Sequence, residues 1–133
     1  MILHICSHAD WAAAQESGRH EPAGYAAEGF VHCSDFGLVH LPANRLFRGR
    51  DDLVLLVVDP DLLDAELVWE RASSDPGNPS APWFPHVYGT IPVSAVIAVH
   101  DFPEQPHGFE LPAALHRWPI ARTHTRTATP AER

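Results

Sequence analysis

Three short segments of the chain share one pattern: a histidine, an apolar residue, then a residue able to hydrogen-bond. They are His4-Ile5-Cys6, His32-Cys33-Ser34 at the end of Gly29 to Ser34, and His86-Val87-Tyr88 within Trp83 to Gly89. An imidazole titrates near neutral pH, so a histidine held in a cleft can take or give a proton under ordinary conditions. Side chains alternate faces along a strand, so each histidine and the residue two positions on point one way while the residue between points the other. This predicts Leu3, Ile5, Val31, Cys33 and Val87 against a core, and three imidazoles together on the opposite face as a cleft wall. His32 and His86 are then the candidate general acid/base residues, with His4, Ser34 and Tyr88 as ligand contacts. A structural role competes at each position: a histidine can simply bond a backbone carbonyl, and a tyrosine can fill core space. Cys33 is expected to face the core and so is not assigned as a nucleophile.

Asn44, Arg45 and Arg48 lie at helical spacings, and a guanidinium suits bidentate capture of phosphate. A solvated helix face, or an ion pair to Asp51 or Asp52, would use the same residues. Ten histidines invite a metal. Yet no Cys-x-x-Cys or His-Glu-x-x-His spacing occurs, and no metal ligand is assigned. Three imidazoles converging from separate strands remain the alternative that would make a metal-dependent hydrolase.

The length of 133 residues suits one domain with a real core. The longest apolar run, Leu53 to Val58, is far short of the roughly 18 residues of a membrane span. The N-terminus has no basic stretch followed by an apolar one, so the cytoplasm is the expected location. Two cysteines are too few for a disulfide framework. A net charge of -8 argues against a broad nucleic-acid surface. All nine basic residues are arginine, which excludes Schiff-base and P-loop lysine chemistry.

The elements that must position these residues follow from periodicity and punctuation. Leu3 to Cys6 reads as a strand, and Ser7 as the cap of a helix from His8 to Ser17 that stops at Gly18. Arg19 to Glu28, with Pro22 and Gly24, reads as a loop, and Phe30 to Ser34 as a second strand. Asp35 to Arg48 is expected to be mostly helical, with Pro42 starting or kinking the helix. Leu53 to Val58 is a strand buried on both faces. Glu66 to Glu70, Trp83 to Gly89 and Val96 to Phe102 are further strands. Ala72 to Pro82, with three prolines, is the long connection and a candidate lid. Trp69-Glu70 and Trp83 are assigned to packing. Residues 1–122 form one domain, and Thr123 to Arg133 is a polar tail expected to be disordered. Helices early and consecutive strands later indicate an α+β fold. No Gly-x-Gly-x-x-Gly follows a strand, against a Rossmann site.

Ala27 to Ser34, Ala43 to Gly49, Asp52 to Leu56, Val68-Trp-Glu70 and Phe84 to Gly89 occur in this order in the chain. In these blocks the chain resembles an uncharacterised bacterial family, domain of unknown function 952. The resemblance implies an ADP-ribosyltransferase-like fold, a split pair of small mixed sheets with flanking helices around a nucleotide cleft. It further implies NAD or a related phosphorylated nucleotide as small-molecule ligand. His4, Ser34, Arg45, Arg48 and Tyr88 would bind it, and His32 or His86 would serve as general acid/base in glycosyl transfer or cleavage. The transferases place a glutamate where this chain has His86, and Glu70 on a neighbouring strand is the nearest substitute. A non-catalytic nucleotide-binding or sensor module is the alternative that this departure leaves open.

Overall fold

The computed structural model describes residues 1–72 and 77–118. The elements run β1 (Ile2–Ser7), α1 (His8–Ser17), β2 (Arg19–His20), α2 (Tyr25–Glu28), β3 (Val31–His32), α3 (His40–Leu46) and β4 (Leu53–Val58), then β5 (Leu67–Arg71), β6 (Trp83–Val87), β7 (Ile91–Pro92) and β8 (Val96–Asp101). Three 3-10 turns, at Pro60–Leu62, Val93–Ala95 and Ala113–Leu115, join or follow them. The fold is α+β, with small sheets and few helices.

Six consecutive apolar residues make β4, and no residue in it is exposed. It is the middle strand of a three-stranded sheet, β1-β4-β8. Val54, Leu56 and Val58 enter one core cluster, while Leu53, Leu55 and Val57 enter another on the opposite face. The first cluster is closed by Val31, Cys33, Trp69 and Val87 of the second three-stranded sheet, β3-β6-β5. The other is closed by Val39 and Ala43 around α3 and by Phe102, Phe109 and Leu115 beyond β8. Burying a Leu or Val side chain is worth about 1.5–3 kcal/mol, so this doubly covered strand anchors the domain.

Every strand pairing is antiparallel, so the sheets are not mixed as expected. Among the described pairs only β5 and β6 are consecutive in the chain; the others join distant segments and run antiparallel as well. The two larger sheets share one backbone bridge, Leu3 with Ser34, pack together through the first core cluster, and part around a cavity.

Helix α1 spans the predicted residues: the Asp10 N–H donates to Ser7 Oγ, and Gly18 ends it at φ 90°. The segment from Arg19 to Glu28 is not a plain loop. It holds β2, paired with β7, and the single turn α2. The helical expectation for Asp35 to Arg48 shrinks to His40–Leu46, with Pro42 in its first turn. There the missing N–H of proline costs no hydrogen bond. Thr123 to Arg133 lies outside the described residues. Among the described residues no helix is long and apolar enough to cross a membrane.

Candidate functional site

Where the two sheets part there is a cavity of about 870 Å³. Its wall includes His4, His20, His32, Ser34, His86 and Arg45, drawn from five separate segments of the chain. Tyr25 and Phe30 supply ring faces. Ala72, Asn78, Ser80, Ala81 and Pro82 also line it, so the described ends of the long connection border the cavity.

His32 and His86 are direct partners across β3 and β6. Direct partners share a face of a sheet, and their rings meet edge to face with centroids 5.2 Å apart. Phe30 stacks on His86 at 4.2 Å. His86 is buried, and its Nδ1–H donates to Glu70 Oε1 over 2.7 Å. The Tyr88 hydroxyl donates to the same oxygen over 2.6 Å. Glu70 is diagonal to His86, because its own partner is Phe84 and His86 faces Val68. His32, on the exposed side, bonds Glu28 Oε2 through Nε2 at 2.8 Å.

Burial holds the His86 pKa below the usual histidine value, against Glu70, which raises it. His86 is therefore neutral at pH 7, with its proton on Nδ1. Its Nε2 has no hydrogen-bond partner among the described residues, and the residue lies at the cavity wall. Glu70 is held below its usual range by its bonds from Tyr88 and His86, which outweigh desolvation, and Tyr88 is pushed up to about 12.

His4 does not share the face of the other two. Leu3 partners Ser34, so Leu3 takes the side of Ser34 and His32, and His4 turns to the other with Ile2 and Cys6. Its Nδ1–H donates to the His32 carbonyl over 2.7 Å, and its Nε2 accepts from His20 Nε2–H over 3.0 Å. Desolvation, then the neighbouring His20, lowers the His4 pKa to about 3. Ile5 is only half-buried, and β1 is enclosed on both sides rather than one.

The other assigned residues separate. Ser34 lies at the cavity wall, buried, in the bridge that joins the sheets. Arg45 lines the cavity and has no ion pair or hydrogen bond among the described residues. Arg48 does not line it. Its Nε donates to Glu104, whose other oxygen accepts from the Gly49 N–H. A side chain neutralised there has no call to hold phosphate. Tyr88 is 40% exposed and stands behind Glu70 rather than at the wall. Asn44 ties α3 to the chain beyond β8: its Nδ2 donates to the Phe109 carbonyl and its Oδ1 accepts from the Phe109 N–H. Arg50 lines the cavity but is held bidentate by Asp52.

Two residues were left out of the assigned site, although Glu70 was named as the nearest substitute for the transferases' glutamate. Glu70 belongs to the site and not to packing alone, unlike Trp69, which is buried in the core. The Val68-Trp69-Glu70 alternation could have shown it, since Trp69 and Glu70 must face opposite ways. His20 was hidden in an apparent loop, because a two-residue strand leaves no periodic signal. Cys33 is fully buried and its thiol is pushed up by desolvation, while Cys6 rises to about 12, so neither is a nucleophile. Among the described residues, no three His, Cys, Asp or Glu side chains are placed to hold a metal ion. Both ring nitrogens of His4, Nε2 of His32 and Nδ1 of His86 are committed to carbonyl, imidazole or carboxylate partners instead.

The chain belongs to the family described as "Protein of unknown function (DUF952)", whose profile matches residues 5–99. Its fold is similar to that of protein CC0527 from Caulobacter crescentus. The crystal structure of that protein is 35% identical, covers 81% of this chain and 90% of its own, and superposes with a TM-score of 0.70. Its solution NMR structure is 32% identical over 90% of this chain and 97% of that one, with a TM-score of 0.68. No curated protein matches the chain.

Proposed function

We propose that this protein is an ADP-ribosyltransferase-like domain that binds NAD or a related phosphorylated nucleotide in the cleft between its two larger sheets. The observation that carries this reading is the cavity itself, lined at once by aromatic rings, imidazoles and one unpaired guanidinium, Arg45. Tyr25 and Phe30 offer stacking faces for a base or pyridine ring. Arg45 offers a bidentate donor to phosphate. Ser34, at the bridge where the sheets part, offers a hydroxyl to a ribose. The volume of about 870 Å³ falls in the range of ordinary ligand sites. Two small sheets that share one backbone bridge and one core cluster, with a cleft lined from both, agree with the split expected of such a domain.

In this reading no carboxylate of β6 supports a cationic ribose, and transfer to protein acceptors is weak or absent. Titration calorimetry with NAD and with ADP-ribose is the test. Binding is expected, weakened about tenfold, or about 1.4 kcal/mol, in His32→Ala and again in Arg45→Ala. Failure of the wild-type chain to bind either nucleotide removes the reading.

A further inference from the structure

The charges on the cavity wall limit how many phosphate groups it can hold. Its carboxylates and guanidiniums are those of Asp10, Glu28, Arg45 and Arg50. Glu28 bonds His32 at 2.8 Å, and Arg50 is gripped through two of its nitrogens by Asp52. Burial lowers the pKa of His4, His20 and His86, so these three rings are neutral at pH 7. Among the described residues, Arg45 is then the one cation of the wall without a partner. The sequence contains no lysine that could supply another. One guanidinium fork matches two oxygens of a single phosphate. A second phosphate would meet no cation there, and Asp10 and Glu28 on the same wall would repel it.

The wall also lacks one donor. His86 is 4% exposed, and its Nδ1–H is given to Glu70, so Nε2 can only accept. No described residue donates to it. A buried acceptor left unmet costs free energy, which a ligand N–H or O–H would relieve. Glu70 keeps the ring in this tautomer and is itself held by the Tyr88 hydroxyl.

We propose that the cleft selects nucleotides with a single phosphate group over diphosphates and dinucleotides, with the phosphate on Arg45 and a base or sugar donor on His86. This rests on the nucleotide reading above and narrows it to a class. NAD and ADP-ribose enter as extended mononucleotides and bind more weakly, because their second phosphate is uncompensated. Arg50 contributes nothing to the ligand, since its charge is already met by Asp52.

The experiment is titration calorimetry with the full chain at pH 7.5, with magnesium present so that diphosphates carry their usual counterion. AMP, GMP, CMP and UMP are compared with their nucleosides, their diphosphates and NAD. At least one monophosphate is expected to bind about tenfold more tightly than its nucleoside, its diphosphate and NAD. Arg45 is exposed, so Arg45→Gln should fold, and it should bring the monophosphate down to its nucleoside while leaving the nucleoside unchanged. Arg50→Gln should leave monophosphate affinity within about twofold. His86→Phe keeps a ring under Phe30 but removes the acceptor, and should weaken nucleoside and monophosphate alike by about tenfold. Should His86→Phe fail to fold, the two arginine variants still decide. A diphosphate or NAD that binds as tightly as the monophosphate overturns the inference and leaves the nucleotide reading intact. So does a monophosphate no tighter than its nucleoside, a loss of affinity in Arg50→Gln, or full affinity in His86→Phe. No binding by any of these compounds overturns both.

Discussion

At the scale of single residues, partners decided what each histidine can do. His86 and His4 are similarly buried, but a carboxylate stands behind the first and another imidazole beside the second. The His4–His20 bond needs one acceptor nitrogen, so it cannot be held once both rings are protonated. This makes the pair sensitive to acid. Its folded pKa lies near 3 for His4, against 6.5 for an unrestrained histidine, and that of His20 is also lowered by burial. The unfolded chain therefore binds protons first as pH falls. The stabilising effect is complete above about pH 6.5 and declines below it, by about 1.4 kcal/mol per pH unit for each fully depressed group. Urea midpoints measured from pH 8 to 4.5 should be flat above 6.5 and fall below it. In His4→Gln that slope should be reduced, and an unchanged slope would assign the acid sensitivity elsewhere.

At the scale of elements, the strongest local signals gave correct boundaries and the weakest gave none. Ser7 and Gly18 mark both ends of α1, because a hydroxyl can satisfy an orphan N–H and only glycine enters φ 90° without strain. A methyl group built on Gly18 meets nothing within 4 Å. Gly18→Ala therefore isolates backbone strain, and thermal unfolding should show a loss of about 1–2 kcal/mol. A neutral result would mean that the helix end can relax. Helix α1 buries only Ala14 among its residues, so its caps carry an unusual share of its definition. By contrast β2 and β7 are two residues each, and they exist because the surrounding chain brings Arg19 to Pro92 and His20 to Ile91. No pattern of two residues can announce that.

At the scale of the whole molecule, one strand serves two cores. Leu55 and Leu56 are neighbours in sequence but belong to opposite clusters, separated by the sheet itself. Truncating either to Ala should cost about 2–5 kcal/mol. Because β4 is common to both clusters, neither is expected to survive loss of the other, and both variants should unfold in a single transition by calorimetry and by tryptophan fluorescence. Transitions that separate between the two probes would show independent halves.

Local pattern was enough for the α+β class, the doubly buried strand, the capped helix and the inward alternation of Val31, Cys33 and Val87. All of these rest on period, propensity or punctuation within a few residues. It also brought forward His32 and His86 as a pair on two strands, before their register was known. Only the tertiary structure decided that these two lie directly opposite, that His4 turns to the other face, and that Arg48 is spent on Glu104. It likewise placed Glu70 behind His86 and His20 beside His4. The reason is physical. Alternation fixes a side chain's face relative to its own strand, whereas the relation between strands depends on register, and a shift of one residue exchanges the faces.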